Sequence, residues 1–289
     1  MDGAFRLASG QGARLPATDP LAKAPLLAVA DLDLQGTEAR IRLAAPLSRT
    51  TLEARLPGRF HRSEETFFDP RAGAVVSRAR LRFGPLILED APLPAPDAEA
   101  AGRALARAIA ERGLRDLRWT DAARSIQART QRLRALDPDA WPDLSDATLA
   151  ATAEAWLGGA CFGRTRLSEV AELDTAALLA ALLPAGGRRR LDAELPARIA
   201  FPNGRDAPID YAADPPRVSA RAQWFYGLAS LPVLAGGRVA LAAELLSPAG
   251  RPIALTSDLA AFWRGGWQDA RRDMRGRYPK HDWPEDPSR

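Results

Sequence analysis

The chain has 289 residues, 46% of them hydrophobic and 26% charged, which is the composition of a soluble globular protein long enough to bury a core and form two or three domains. One cysteine, Cys161, excludes an internal disulfide, and with only His61 and His281 beside it the usual Cys/His zinc sets cannot be assembled. Net charge is +4, and because Lys23 and Lys280 are the only lysines, 38 of the 40 basic residues are arginine.

The arginine bias fits GC-rich codon usage, yet its physical consequence stands whatever its origin. Arginine offers a planar five-donor fork that grips phosphate bidentately and stacks on bases. With so small a net charge, a nucleic-acid footprint has to come from local clustering. No run of about 18 apolar residues is present to span a bilayer, and the polar opening MDGAFRLASG lacks the apolar core of a signal peptide. No membrane partner and a cytoplasmic location are therefore expected.

In chain order, residues from about 26 to 90 read as β-rich. LLAVADLDL, TEARIRLAA, TFFDPRAGAVVSRARLRF and PLILED are short alternating or apolar runs punctuated at QG, PG and DPRAG, with one short helix in LSRTTLEARL. Several short strands and one inserted helix predict an OB-like β-barrel over residues 1–92, although the period alone also fits a sandwich. The proline-rich run Asp90–Glu99 reads as a linker. A helical region over 97–185 follows: AEAAGRALARAIAERGL stopping at Gly113, then WTDAARSIQARTQRLRAL with Ile126 and Leu133 inward and Arg129 and Arg132 outward. Next come a helix capped by Ser145 that buries Leu149 and Trp156, and one or two helices ended by Pro184. GGRRR at Gly186–Arg190 marks the second boundary, and residues 186–289 predict a small mixed α/β domain with turns at NG and AG and a final helix from Thr256 or Ser257. The fold class expected is thus α+β.

Three constellations stand out. The strand AVVSRARLRF places Arg78, Arg80 and Arg82 on one face, a basic stripe about 13 Å long at ~3.3 Å per residue, suited to the phosphates of a single strand. The alternative is an ordinary amphipathic strand with acidic partners such as Glu38 or Glu89. In the last helix Leu259, Phe262, Trp263, Trp267, Ala270 and Met274 form an apolar side, with Arg264, Arg271, Arg272 and Arg275 away from it. Gly265 and Gly266 inside it each cost about 1 kcal/mol relative to Ala, which calls for close packing or a backbone approach to a ligand. The tail MRGRYPKHDWPEDP interleaves Arg275, Arg277, Tyr278, Lys280, His281 and Trp283. Tyr278 and Trp283 could stack bases while Arg277 and Lys280 take phosphates; alternatively, Tyr278 and Trp283 could bury and clamp the tail to the body.

Free-standing catalysis is not expected. No Ser, Cys or paired carboxylate supports His281 as a catalytic base, the carboxylates are dispersed, and Cys161 among small residues reads as a buried thiol. A P-loop needs a Lys after a Gly-rich turn and before Ser or Thr, and neither LAKAP nor YPKHD provides it.

FRLASGQGARL, FPNGRDAPIDY, LLSPAGRPIALTSDLAAFW and RGRYPKHDWPEDP resemble the region that follows the motor in the HrpB family of DExH-box helicases, and the resemblance extends over essentially the whole chain. It implies an OB-like domain, a helical segment and a family-specific carboxyl-terminal domain, attached to two RecA-like lobes that hold ATP and Mg²⁺ and move on RNA. No position here matches the motor residues, so no cofactor is expected on this chain and it is predicted inactive alone. Single-stranded RNA or DNA, and the motor domains in cis or in trans, are the partners implied. The expected nucleic-acid contacts are Arg78, Arg80, Arg82, Arg272, Arg275, Arg277, Tyr278 and Lys280; the alternative is a protein-docking module. One departure is local: Trp224 stands in QWFYGL where the family leads one to expect an acid.

Overall fold

The computed structural model describes residues 3–35 and 38–288. It is a mixed α+β structure whose described strands form three sheets, and the chain divides into two compact units: residues 1–108 with 161–167, and residues 109–160 with 168–289.

The first unit is built on two separate sheets. β1 (Ala4–Arg6), β2 (Gly12–Arg14), β3 (Leu27–Gln35) and β4 (Glu38–Pro46) form one, in the order β1-β2-β4-β3, with β2 and β4 parallel and the other neighbours antiparallel. Ala13, Leu15, Ala39 and Ile41 are its buried centre. After β4, Ser48 caps α1 (Arg49–Arg55) by accepting a hydrogen bond from the Thr51 amide, and a 3-10 turn at Pro57–Arg59 follows. β5 (Phe60–Asp69), β6 (Ala74–Phe83) and β7 (Leu86–Pro92) then make an antiparallel meander.

No closed OB-like barrel is present among the described residues. The helix and turn between β4 and β5 send the chain into a second sheet, so no ladder joins the two. Between them lies an apolar cavity of about 770 Å³, lined by Phe5, Leu27, Leu52, Phe83 and Ile87 among others, where a closed barrel would have a filled interior. Residues 93–97 connect β7 to α2 (Ala98–Glu111), so that the expected linker Asp90–Glu99 is shorter than read, its first three residues lying in β7 and its last two in α2.

The second unit opens with a turn in which Gly113 takes φ +70°, as the helix stop requires. It contains α3 (Asp121–Leu136), α4 (Asp146–Ala151), α5 (Ala153–Leu157), α6 (Thr175–Ala181) and α7 (Gly187–Glu194). Ser145 caps α4 by accepting from the Thr148 amide, and Ile126, Leu133 and Leu149 are buried as the period predicts. Two expectations fail here. Arg129 is 1% exposed rather than outward: its Nε donates to the Leu195 carbonyl at 2.6 Å and its guanidinium pairs with Asp192, so the end of α7 satisfies a charge that a sequence period assigns to solvent. Arg132 likewise turns inward in part, donating to the Tyr211 carbonyl at 2.9 Å. Trp156 is half-buried, with Leu157 taking the core position.

β8 (Arg198–Ala200), β9 (Asp206–Asp210), β10 (Arg217–Arg221), β11 (Ala242–Leu246) and β12 (Pro252–Thr256) form a five-stranded sheet in the order β12-β11-β10-β9-β8, parallel only between β10 and β11. Gly204 and Gly250 supply the left-handed residues at the NG and AG turns. The final helical stretch starts two or three residues later than read, at Leu259, capped by Asp258, which accepts from the Ala261 amide at 2.8 Å. It is also divided into α8 (Leu259–Arg264) and α9 (Gly266–Arg277), with Gly265 non-helical at φ −121°, ψ −88°. A Cβ on Gly266 would stand 3.1 Å from the Phe262 ring, so close packing accounts for that glycine.

Candidate nucleic-acid interface

Strand β6 carries the three expected arginines in the middle of its sheet, and every one is matched by a carboxylate. Arg78 Nε donates to Asp90 at 2.5 Å, Arg80 bonds Glu65 at 2.6 Å, and Arg82 Nε bonds the same carboxylate at 3.0 Å. Arg80 also lies 4.5 Å from the centre of the Phe67 ring. Hydrogen bonding from Arg82 first, then from Ser63 and Arg80, overcomes desolvation and holds the Glu65 carboxyl at about 2, below the ordinary 4.5. Asp90 is likewise pulled below the usual carboxylate range, chiefly by Arg78.

The acids are not those nominated from sequence. The Glu38 side chain lies outside the described residues, and Glu89 pairs with Arg49 of α1. Glu65 was overlooked because β5 begins at Phe60, so that the polar stretch HRSEE belongs to a strand. A signal existed: the hairpin register pairs Asp69 with Ala74 across the DPRAG turn, and counting back along it sets Glu65 opposite Arg78.

The carboxyl-terminal cluster is organised differently. Trp263, Trp267, Trp283, Phe262 and Tyr226 form an aromatic cage with ring centres 5.2–6.5 Å apart, edge-to-face except for the tilted pairs Phe262–Trp263 and Trp267–Trp283. Each indole finds a backbone acceptor: Trp263 on Leu228 at 2.8 Å, Trp267 on Pro284 at 3.0 Å and Trp283 on Tyr278 at 3.0 Å. Arg271 Nε donates to the Trp283 carbonyl at 2.8 Å, and the Gly227 amide to that of Pro287 at 2.9 Å. The tail is therefore clamped to the body, as one of the two sequence readings has it.

Outside this clamp Arg272, Arg275, Arg277 and Lys280 are exposed. Arg272 and Arg275 stand at i and i+3 on α9 and share a side. Arg272 has only a loose pair with Asp269 at 3.3 Å, with both side chains at least 80% exposed. Arg275 and Lys280 make no ion pair among the described residues. Arg277 points about half a turn from Arg275 and is bound to Asp273 at 2.9 Å. Tyr278 is half-buried, its ring 6.2 Å edge-on to His281. The β6 set and the tail set belong to different compact units.

Among the described residues no group of His, Cys, Asp and Glu could hold a metal, and no helix is long and apolar enough to cross a membrane. Cys161 is buried, and that burial pushes its thiol up to about 11, which makes it unreactive.

A five-stranded mixed sheet, closed by a tryptophan-clamped helix and tail, is the part of the chain for which a family description exists. Residues 156–287 match the model described as "ATP-dependent helicase C-terminal", HrpB_C. The chain is 38% identical, over 99% of its length, to the ATP-dependent RNA helicase HrpB of Escherichia coli K12. It superposes on the crystal structure of the E. coli DExH-box NTPase HrpB with a TM-score of 0.68 at 37% identity over its whole length. On that of the E. coli DEAH/RHA helicase HrpB the TM-score is 0.61 at 32% identity over 98% of this chain. The chain spans 36% of the length of each of these relatives. Residues 156–287 thus match the HrpB-type carboxyl-terminal domain, and the chain as a whole is similar to the carboxyl-terminal region of HrpB helicases.

Proposed function

We propose that this chain is the non-motor region of an HrpB-type ATP-dependent RNA helicase and holds single-stranded nucleic acid beside RecA-like motor lobes, which it meets in cis or in trans. The observation that carries the reading is the clamped tail. The aromatic cage fixes the backbone from Tyr278 to Pro287 while leaving Arg272, Arg275 and Lys280 exposed and weakly paired. Cations held on a rigid base lose little entropy on meeting phosphate, and Tyr278 at the end of α9 offers a ring beside them. Arg78, Arg80 and Arg82 can join such an interface only by giving up Glu65 and Asp90. ATP and Mg²⁺ chemistry belongs in this reading to the motor lobes, and the chain alone is expected to release no phosphate from ATP.

The test is a titration of labelled single-stranded RNA at low and moderate salt. Three phosphate contacts predict a log–log slope of about −2, at roughly −0.7 each. Failure to bind even at low salt overturns the reading. A second reading, a protein-docking module, draws its support from the neutralised β6 stripe; binding of isolated motor lobes with little salt dependence, and no affinity for RNA, is its signature.

A further inference from the structure

We propose that Arg205 and Trp224 form a base-stacking subsite for single-stranded nucleic acid at the tip of the β8–β9 hairpin, an inference that rests on the nucleic-acid reading above and adds a site to it. The geometry around Trp224 gives its indole a use.

The tip is a tight, self-bonded turn. The Phe201 amide donates to the Arg205 carbonyl at 2.8 Å, the Gly204 amide to that of Phe201 at 3.0 Å, and the Arg205 amide to the Asn203 side chain at 3.0 Å. This brings the Arg205 guanidinium to 5.2 Å from the centre of the half-buried Trp224 ring. Arg205 is exposed and has no ion pair among the described residues, because its neighbour Asp206 is taken by Arg198. Arg221, three residues before Trp224, is also exposed and without an ion pair among them. The result is a guanidinium beside the face of an indole, with a second cation close by in the chain. That pattern fits a ligand with a flat π-face and a phosphate.

The platform is rigidly backed. Phe201, 4% exposed, meets Trp224 edge-on at 5.8 Å and the fully buried Phe225 at 5.0 Å. The next residue, Tyr226, stands in the aromatic cage and bonds the Asp282 carbonyl at 3.2 Å. At Gly227 a Cβ would lie 3.2 Å from Pro202 of the tip, so the chain after Trp224 is packed directly on the turn. Immobilising Trp224 in advance lowers the entropic cost of stacking.

The experiment compares a short single-stranded oligonucleotide with a base-free sugar–phosphate oligomer of the same length, for wild type, W224L, W224F and R205A. Leucine keeps apolar bulk against Phe201 without an extended π-face. W224L is expected to weaken binding of the base-containing strand about 5- to 100-fold, leaving the base-free strand and the salt slope unchanged, and W224F to stay within a few-fold of wild type. R205A, at an exposed position that spares the fold, is expected to reduce the preference for the base-containing strand. Equal binding of that strand by wild type and W224L overturns the subsite, as does an equal loss on both strands. Wild type binding neither strand overturns the broader nucleic-acid reading as well, so the two failures are distinguishable.

Discussion

The β6 stripe and the α9 tail present the same side chain in opposite circumstances. On β6 three arginines share two carboxylates supplied by the flanking strands; on α9 and the tail, the structural work is done by indoles and backbone carbonyls, which leaves cations over. An arginine row on a central strand is the more conspicuous pattern in sequence. It is also the one most readily neutralised, because both neighbouring strands can offer acids. A cation at the end of a helix followed by an extended tail has fewer neighbours to pair with. Availability of charge, more than its density, separates a binding surface from a structural one.

The comparison breaks most severely if the clamp is removed. Trp267 is fully buried and donates to the tail backbone, so Trp267→Ala is expected to cost about 3–5 kcal/mol in denaturant unfolding and to abolish RNA binding with it; a loss under 1 kcal/mol contradicts the role given to the cage. Arg129→Met leaves the Leu195 carbonyl without its donor and Asp192 with Arg188 alone, and is expected to cost about 2–3 kcal/mol. An unchanged melting temperature would show that arginine to be dispensable.

Glu65→Gln sharpens the comparison from the other side. The folded-state carboxyl lies near 2 against an ordinary 4.5, so it contributes stability that is present above about 4.5 and lost as pH falls toward 2. The variant is expected to be less stable at neutral pH by about 1 kcal/mol, allowing for its partial exposure, with a flatter acid limb between those pH values. It also releases Arg82 and leaves Arg80 with only its longer pair to Asp90 at 3.4 Å, so affinity for single-stranded RNA is expected to rise a few-fold at low salt. Unaltered affinity would mean that the strand is not reachable by nucleic acid at all. The smallest effect is assigned to Asp258→Ala, which removes the cap of α8 and is expected to cost about 1 kcal/mol in thermal unfolding with RNA binding retained.

Local features were legible in the sequence. The cap at Ser145, the stop at Gly113, the turns at Gly204 and Gly250 and the apolar face of Leu259, Trp263, Trp267 and Met274 all follow from short-range rules, and the structure has them. What escaped depends on partners distant in the chain. Arg129 is buried because α7 delivers a carbonyl and a carboxylate more than sixty positions away. The strands β1 and β2 are too short to show a period, and whether two sheets close into a barrel is decided by the path after β4. For the candidate site, the tail arginines were visible as a run, whereas the neutralisation of β6 required the register of a strand whose first half is polar.

The most direct measurement sets the triple variant R272A/R275A/K280A beside R78A/R80A/R82A in salt titrations of single-stranded RNA, with unfolding followed in parallel. The account predicts that the tail variant keeps its stability but loses affinity, with the salt slope flattened by about 2, while the strand variant loses stability and keeps most of its slope. A strand variant that loses the slope, beside a tail variant that binds like wild type, would contradict it.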